Sequence, residues 1–146
     1  MKIRYHLASV GVVAALIFAA LPALAADPTG VWLTQDGDAH IKFASCGQAY
    51  CGTVVWLRDP LDPDTKKPIL DKNNPDPGKR KRPVLGITIG LSFKAADGGK
   101  YAGQFYNSDD GQTYKGSITR SGPSTLNVEG CLGVLCQTQV WTKVAH

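Results

Sequence analysis

Glutamate and methionine each occur once and histidine three times in 146 residues, and beyond position 25 no apolar run is long enough to cross a bilayer. Past the N-terminal stretch the histidines are His40, inside a strand-like run, and His146, the last residue. A histidine-built metal centre or a Ser-His-Asp arrangement would therefore depend on His40 alone. Gly-x-Ser-x-Gly, a phosphate-binding glycine loop and His-Glu-x-x-His are all missing. The sole glutamate, Glu129, falls at the end of a strand-like run. Asp71-Lys72-Asn73-Asn74-Pro75-Asp76 gathers oxygen ligands but breaks the calcium-loop register, with Pro at its fifth position and no Gly at its sixth. No metal and no cofactor is expected. Catalysis would need His40 and the acids gathered in one cleft, which nothing in the spacing indicates, so the reading leans to binding rather than to an enzyme.

The first residues have the layout of an export leader. Lys2 and Arg4 precede an apolar run from Val10 to Leu21, and Ala23-Leu24-Ala25 offers a small-x-small cleavage site. Residues 1–26 are assigned to a secretory signal peptide and 27–146 to one domain, enough chain for a single core. Without Lys2 and Arg4, fourteen basic groups face twelve acidic ones. The expected location is the periplasm or beyond the cell, with no transmembrane segment in the mature chain.

All four cysteines lie in the mature part, as Cys46-Gly-Gln-Ala-Tyr-Cys51 and Cys131-Leu-Gly-Val-Leu-Cys136. An even count in an exported chain reads as disulfides, with three connectivities open. Strand-like sequence flanks each pair and the gap suits a hairpin, which favours Cys46–Cys51 and Cys131–Cys136. Neither pair has the Cys-x-x-Cys redox spacing, and thiolate zinc sites compete poorly with oxidation outside the cytosol.

The rest of the mature chain alternates short β-type runs with Gly, Asn, Asp and Pro. Strands are expected over 30–34, 40–44, 51–57, 86–95, 100–106, 113–120, 125–130 and 138–144. Asp97-Gly98-Gly99 and Asp109-Asp110-Gly111 mark tight turns, and no amphipathic helix of useful length is present. Gly90, Gly103 and Gly116 sit inside three successive strands, where glycine marks a bend or a close approach. These features point to an all-β, single antiparallel, eight-stranded up-and-down barrel, just wide enough to be filled or to hold one small ligand. Alternation predicts an inward set that includes Trp32, Val55, Leu91, Phe93, Tyr101, Phe105 and Val140.

One connection is long. Arg58 to Arg82 carries eight basic and five acidic residues, and six of the chain's nine prolines lie in it or at its edge. A loop of this length is commonly functional, and its prolines stiffen it over a barrel mouth or sheet edge. Lys79-Arg80-Lys81-Arg82 has no interleaved aromatics, which speaks against nucleic acid and leaves an anionic lipid surface as the partner of that run. The candidate ligand-binding residues are Trp32, Trp56, Arg58, Arg82, Tyr101, Phe105 and Trp141: aromatic walls, with Arg58 or Arg82 to orient an anionic head.

Gly30-Val31-Trp32 on the first strand, with a basic residue on the last, resembles the lipocalin signature. A longer series is similar to the exported bacterial family named domain of unknown function 2147. It runs through Gly52-Thr53-Val54-Val55-Trp56, Asn73-Asn74-Pro75, Arg82-Pro83-Val84-Leu85-Gly86, Gly103-Gln104-Phe105-Tyr106-Asn107 and Gly130-Cys131-Leu132-Gly133 to Trp141-Thr142-Lys143. The resemblance implies a lipocalin-like barrel in an exported protein and no established activity. Lys143 stands where the family usually has Arg, which weakens any stacking of a guanidinium on Trp32 from the last strand. The expectation is a small β-barrel that binds a partly apolar ligand, neutral or with an anionic head, without catalysis; the alternative is an envelope module meeting anionic lipid or a protein through its basic loop.

Overall fold

The structure, a computed structural model, describes residues 26–145 and, before them, Ile17; nearly all of the expected leader lies outside the described residues. Eight antiparallel strands follow one another around a closed barrel: β1 (Gly30–Leu33), β2 (Ala39–Cys46), β3 (Ala49–Leu57), β4 (Thr88–Ala95), β5 (Tyr101–Asn107), β6 (Gln112–Gly122), β7 (Thr125–Leu132) and β8 (Leu135–Lys143). Each strand pairs with its neighbours in sequence, and β1 pairs with β8 at Trp32↔Lys143 and Leu33↔Thr142. The seam is short. The Gln35 side chain lengthens it by accepting from the Val140 N–H at 2.8 Å. Closure pairs the first strand with the last and so removes much of both sheet edges, although β8 runs on past the end of β1.

The two ends of the barrel differ. The end holding the start of β1 and the β2–β3, β4–β5 and β6–β7 turns is packed shut. Trp32, Phe43, Phe93, Ile118 and Leu126 are fully buried there, with Phe43 and Phe93 edge to face at 5.7 Å. Glycine makes room for these rings. A Cβ on Gly116 would come within 2.5 Å of the Phe105 ring, and one on Gly90 within 3.0 Å of Phe43. The strand glycines read from the sequence are thus sites of close approach between the wall and its aromatic filling.

Alternation misplaces some side chains because the wall is bulged. Register slips between His40 and Ile41 opposite β3, so Val54 takes the inward position and Val55 and Trp56 are exposed. A second irregularity at Leu91–Lys94, with Ser92 at φ 52°, turns Leu91 away from the lumen. On β8 the inward residue is Trp141, and Val140 is exposed. Val55, Leu91 and Val140 therefore leave the expected inward set.

The long connection is folded. Leu70 bridges Pro83, the Asp71 N–H donates to the Arg82 carbonyl at 2.9 Å, and Val84 N–H donates to the Ile69 carbonyl at 2.9 Å. A 3-10 turn covers Pro77–Lys79. β4 is short at this end, since Thr88 already pairs with Thr53. Gly86 and Ile87 take over the backbone bonds of Val54, at 2.8 and 3.0 Å. The connection thereby completes the wall above β4 rather than lying across the mouth as a lid.

Candidate ligand cavity

Above the aromatic floor the barrel is hollow. A cavity of about 790 Å³ opens at the end carrying the β1–β2, β5–β6 and β7–β8 turns. Ile41, Val54, Ile89, Phe105, Val128 and Trp141 give it apolar walls, with Gln137, Gln139, Asn107 and Tyr114 as polar groups between them. Phe105 and Trp141, 6.1 Å apart by ring centroids, form its bottom, and the Trp141 indole N–H is satisfied by Gln139 Oε1 at 2.8 Å. Asp36, Asp38, Asp59 and Asp109 stand round the opening with Arg58. Arg58 Nε donates to Asp59 at 3.0 Å, an exposed pair that contributes little to stability. Tyr114 donates to Asp110, whose carboxylate pushes the phenol pKa upward.

The seven residues expected to bind ligand do not all meet. Arg58, Phe105 and Trp141 line this cavity. Trp32 and Tyr101 are buried in the closed end, below it. Trp56 faces outward, its ring 4.3 Å from that of His40. Arg82 belongs to the other side of the wall. Of the basic run, Arg80 Nε donates to the Asn74 carbonyl at 2.7 Å and Arg82 is paired to Asp71, while Lys79 and Lys81 are exposed.

The Arg82 partnership is a buried polar cluster that sequence reading passed over. Phe105 points inward, so Tyr106 must point out, yet Tyr106 is buried because the long connection packs on it. The Tyr106 hydroxyl donates to Asp71 Oδ1 at 2.5 Å. Asp71 Oδ2 accepts from Asn74 Nδ2 at 2.8 Å and from Arg82 Nε and Nη2 at 3.0 and 2.9 Å. Burial alone would raise the Asp71 pKa; the hydrogen bonds from Tyr106, Asn74 and Arg82, with the guanidinium charge, outweigh it and hold the carboxyl below its ordinary value. Burial first, then the adjacent Asp71 carboxylate, pushes the Tyr106 phenol up to about 12. Every polar group is satisfied and the carboxylate is already saturated. The cluster fastens the connection to β5 and has no spare group for chemistry.

Arg120 was also overlooked. It lies on β6, its guanidinium 5.8 Å from the Trp32 ring, and donates to the Gly122, Asp27 and Pro123 carbonyls at 3.2, 3.1 and 2.9 Å. Lys143 approaches the same ring at 5.9 Å. The guanidinium over the tryptophan, expected to be weakened with Lys143 on the last strand, comes instead from β6. Only the neighbouring Gly122-Pro123 turn, whose carbonyls it caps, could have pointed to it.

Both expected disulfides are present. Cys131 and Cys136 are direct cross-strand partners in the mouth hairpin, and Cys46–Cys51 pins the equivalent hairpin at the closed end. Each spans a two-residue tip rather than the four-residue loop the spacing suggested. Glu129 lies beside Cys131 and Cys136, but their sulfurs are bonded to each other and offer no thiolate to a metal. No helix among the described residues is long and apolar enough to cross a membrane.

Residues 30–143 match a family described as uncharacterized proteins conserved in bacteria, DUF2147. Among solved structures the chain is similar to HP1028 from Helicobacter pylori, a protein described as belonging to the lipocalin family. The TM-score is 0.68 and the identity 21%, over 82% of this chain and 84% of that one. At that identity the likeness shows the fold. No curated protein matches the sequence.

Proposed function

Since the chain belongs to the bacterial DUF2147 family, whose activity the family description leaves open, we propose a function from the barrel itself: non-catalytic binding of one small, partly apolar molecule in the mouth cavity. The observation that carries this reading is a cavity of about 790 Å³ standing over a sealed aromatic floor. That volume lies within the range of small-molecule sites, which are mostly apolar with a few polar groups placed to orient the ligand. Phe105, Trp141, Val128 and Ile41 would take the apolar body, and burial at roughly 25 cal/mol per Å² would supply the affinity. Arg58 at the opening, with Gln137 and Gln139 on the wall, would hold a polar or anionic head. Trp32 and Tyr101 support the floor from below. The leader-like N-terminus and the two disulfides favour a protein exported to an oxidising compartment, the periplasm or beyond.

The test is organic extraction of the purified protein followed by mass spectrometry, with titration of a lipophilic fluorescent dye into the extracted protein. One dye per chain, displaced by whatever was extracted, is the expected result. A barrel that carries nothing and leaves the dye in water would refute the reading.

A further inference from the structure

We infer that the β7–β8 hairpin tip docks the barrel mouth onto an uncharged or zwitterionic lipid surface. The tip is Leu132-Gly133-Val134-Leu135, and its side chains are 52% (Leu132), 97% (Val134) and 76% (Leu135) exposed. Hairpin tips are ordinarily built from Gly, Asn, Asp and Ser, which satisfy the turn and face water. The chain supplies its own control. The β2–β3 hairpin has the same cysteine spacing and a two-residue turn, yet that turn is Gly47-Gln48 where the mouth hairpin has Gly133-Val134, and its flanking Ala49 is buried where Leu132 and Leu135 are exposed. Neither the disulfide nor the turn requires aliphatic residues, so those at the mouth need another explanation.

Cys131–Cys136 joins the two strands directly beneath the tip and fixes its position at the rim. Leu132 and Leu135 also line the cavity, so on β7 the lumen face runs from the tip through Leu132 and Gly130 to Val128, with Gln137 and Gln139 beside it on β8. The tip sits at the one end of the barrel that is open.

The size and charge of this surface choose the occupant. Three side chains present on the order of 300 Å², well short of the ~800 Å² per partner of a stable protein–protein contact. A second copy of the chain is therefore a poor fit, whereas a bilayer takes up a few aliphatic side chains at its interface without needing complementary shape. The opening carries Asp36, Asp38, Asp59 and Asp109 against Arg58, and so repels an anionic headgroup layer. What remains is a neutral or zwitterionic surface. The docking rests on the tip alone; the cavity reading adds that lipophiles would pass between that surface and the barrel without crossing water.

Flotation of the purified chain with phosphatidylcholine vesicles tests this, with phosphatidylglycerol vesicles as the second arm. The expected result is co-flotation with phosphatidylcholine that falls at least ~10-fold in a Val134→Asp/Leu135→Asp variant, is unchanged in Lys79→Gln/Lys81→Gln, and is weaker on phosphatidylglycerol. A Val134→Trp variant should show a blue-shifted emission on the same vesicles, quenched by brominated lipid. This readout does not depend on the Asp variant folding. Failure of the wild type to float, equal flotation of the Asp variant with an unchanged melting temperature, or binding only to phosphatidylglycerol that disappears in the lysine variant would each overturn the docking. Dye titration without vesicles separates the two readings: a barrel that floats yet takes no dye loses the cargo and keeps the docking, and one that takes dye yet never floats does the reverse.

Discussion

The Tyr106 hydroxyl donates a hydrogen bond to Asp71, 35 residues away in sequence, at 2.5 Å and out of contact with water. This bond, with those from Asn74 and Arg82, fixes where the long connection sits and so shapes the wall above β4. Tyr106→Phe keeps the ring and removes the donor, leaving Asp71 Oδ1 buried and unpaired. The expected cost is about 1–3 kcal/mol in urea unfolding. Removal of the carboxylate in Asp71→Ala should cost more, about 3–5 kcal/mol, because it deletes the acceptor of four bonds.

The same cluster sets a pH dependence at both extremes. The folded Asp71 pKa lies below its ordinary value of 3.8, so its contribution is present above that value and is lost as pH falls through the folded pKa. Tyr106 is raised from 10.0 to about 12, so its contribution is present below 10 and is lost as pH climbs between the two. Urea midpoints measured across the pH range should fall at both ends. The alkaline loss should shrink by on the order of 2 kcal/mol in Tyr106→Phe, with the remainder coming from Tyr101 and Tyr114, whose phenol pKa values are also raised. An alkaline limb identical in wild type and variant would contradict this assignment.

Arg120 closes the sealed end by laying its guanidinium near Trp32 and capping three carbonyls. Arg120→Met retains the aliphatic stem but loses the charge and the forked donors, and should lower stability by about 2–3 kcal/mol. Lys143→Met should cost under ~1 kcal/mol. Thermal melts of the two single variants rank them; equal effects would mean that Arg120 has no special part at that end.

Gly116 lies under Phe105, where an added Cβ would meet the ring at 2.5 Å. Gly116→Ala should therefore destabilise by about 1–3 kcal/mol and shift Phe105 into the cavity. Weaker dye binding at an unchanged stoichiometry would accompany the lower melting temperature.

Gly130 provides the opposite case. It lines the cavity, and no atom lies within 4 Å of an added Cβ. Gly130→Phe should fill the lumen while leaving the wall intact, abolishing dye binding with a melting temperature within a few degrees of the wild type. Unaltered dye affinity would place the ligand outside the barrel.

The strands, their antiparallel order and the disulfide pairing were legible because they rest on local signals: alternating side chains, turn residues and cysteines facing each other across hairpins. The inward set was legible except at two bulges and on β8. Val55 and Leu91 were misassigned because nothing in a run of β-formers marks where the ladder slips. Val140 was misassigned because the unbroken register of β8 turns Gln137, Gln139 and Trp141 inward, so its lumen face is partly polar and apolarity alone gives the wrong phase. Of the ligand candidates, Phe105, Trp141 and Arg58 come together at the cavity, while Trp56 and Arg82 lie outside it. In the sequence Asp71 is one of five acids in the long connection and part of a run that fails the calcium-loop register; its buried role is not legible there, since its three partners come from positions 74, 82 and 106.

By itself, then, the sequence determined that this chain forms a closed antiparallel barrel stapled at two hairpins, because strand periodicity, turn chemistry and cysteine spacing act between near neighbours. Only the tertiary structure decided that one end is sealed and the other hollow, that the charged connection is bolted to the outside of the wall, and that Arg120 rather than Lys143 brings a guanidinium to Trp32. Those outcomes depend on which side chains meet across the barrel, and such distances follow from register and closure rather than from any short stretch of residues.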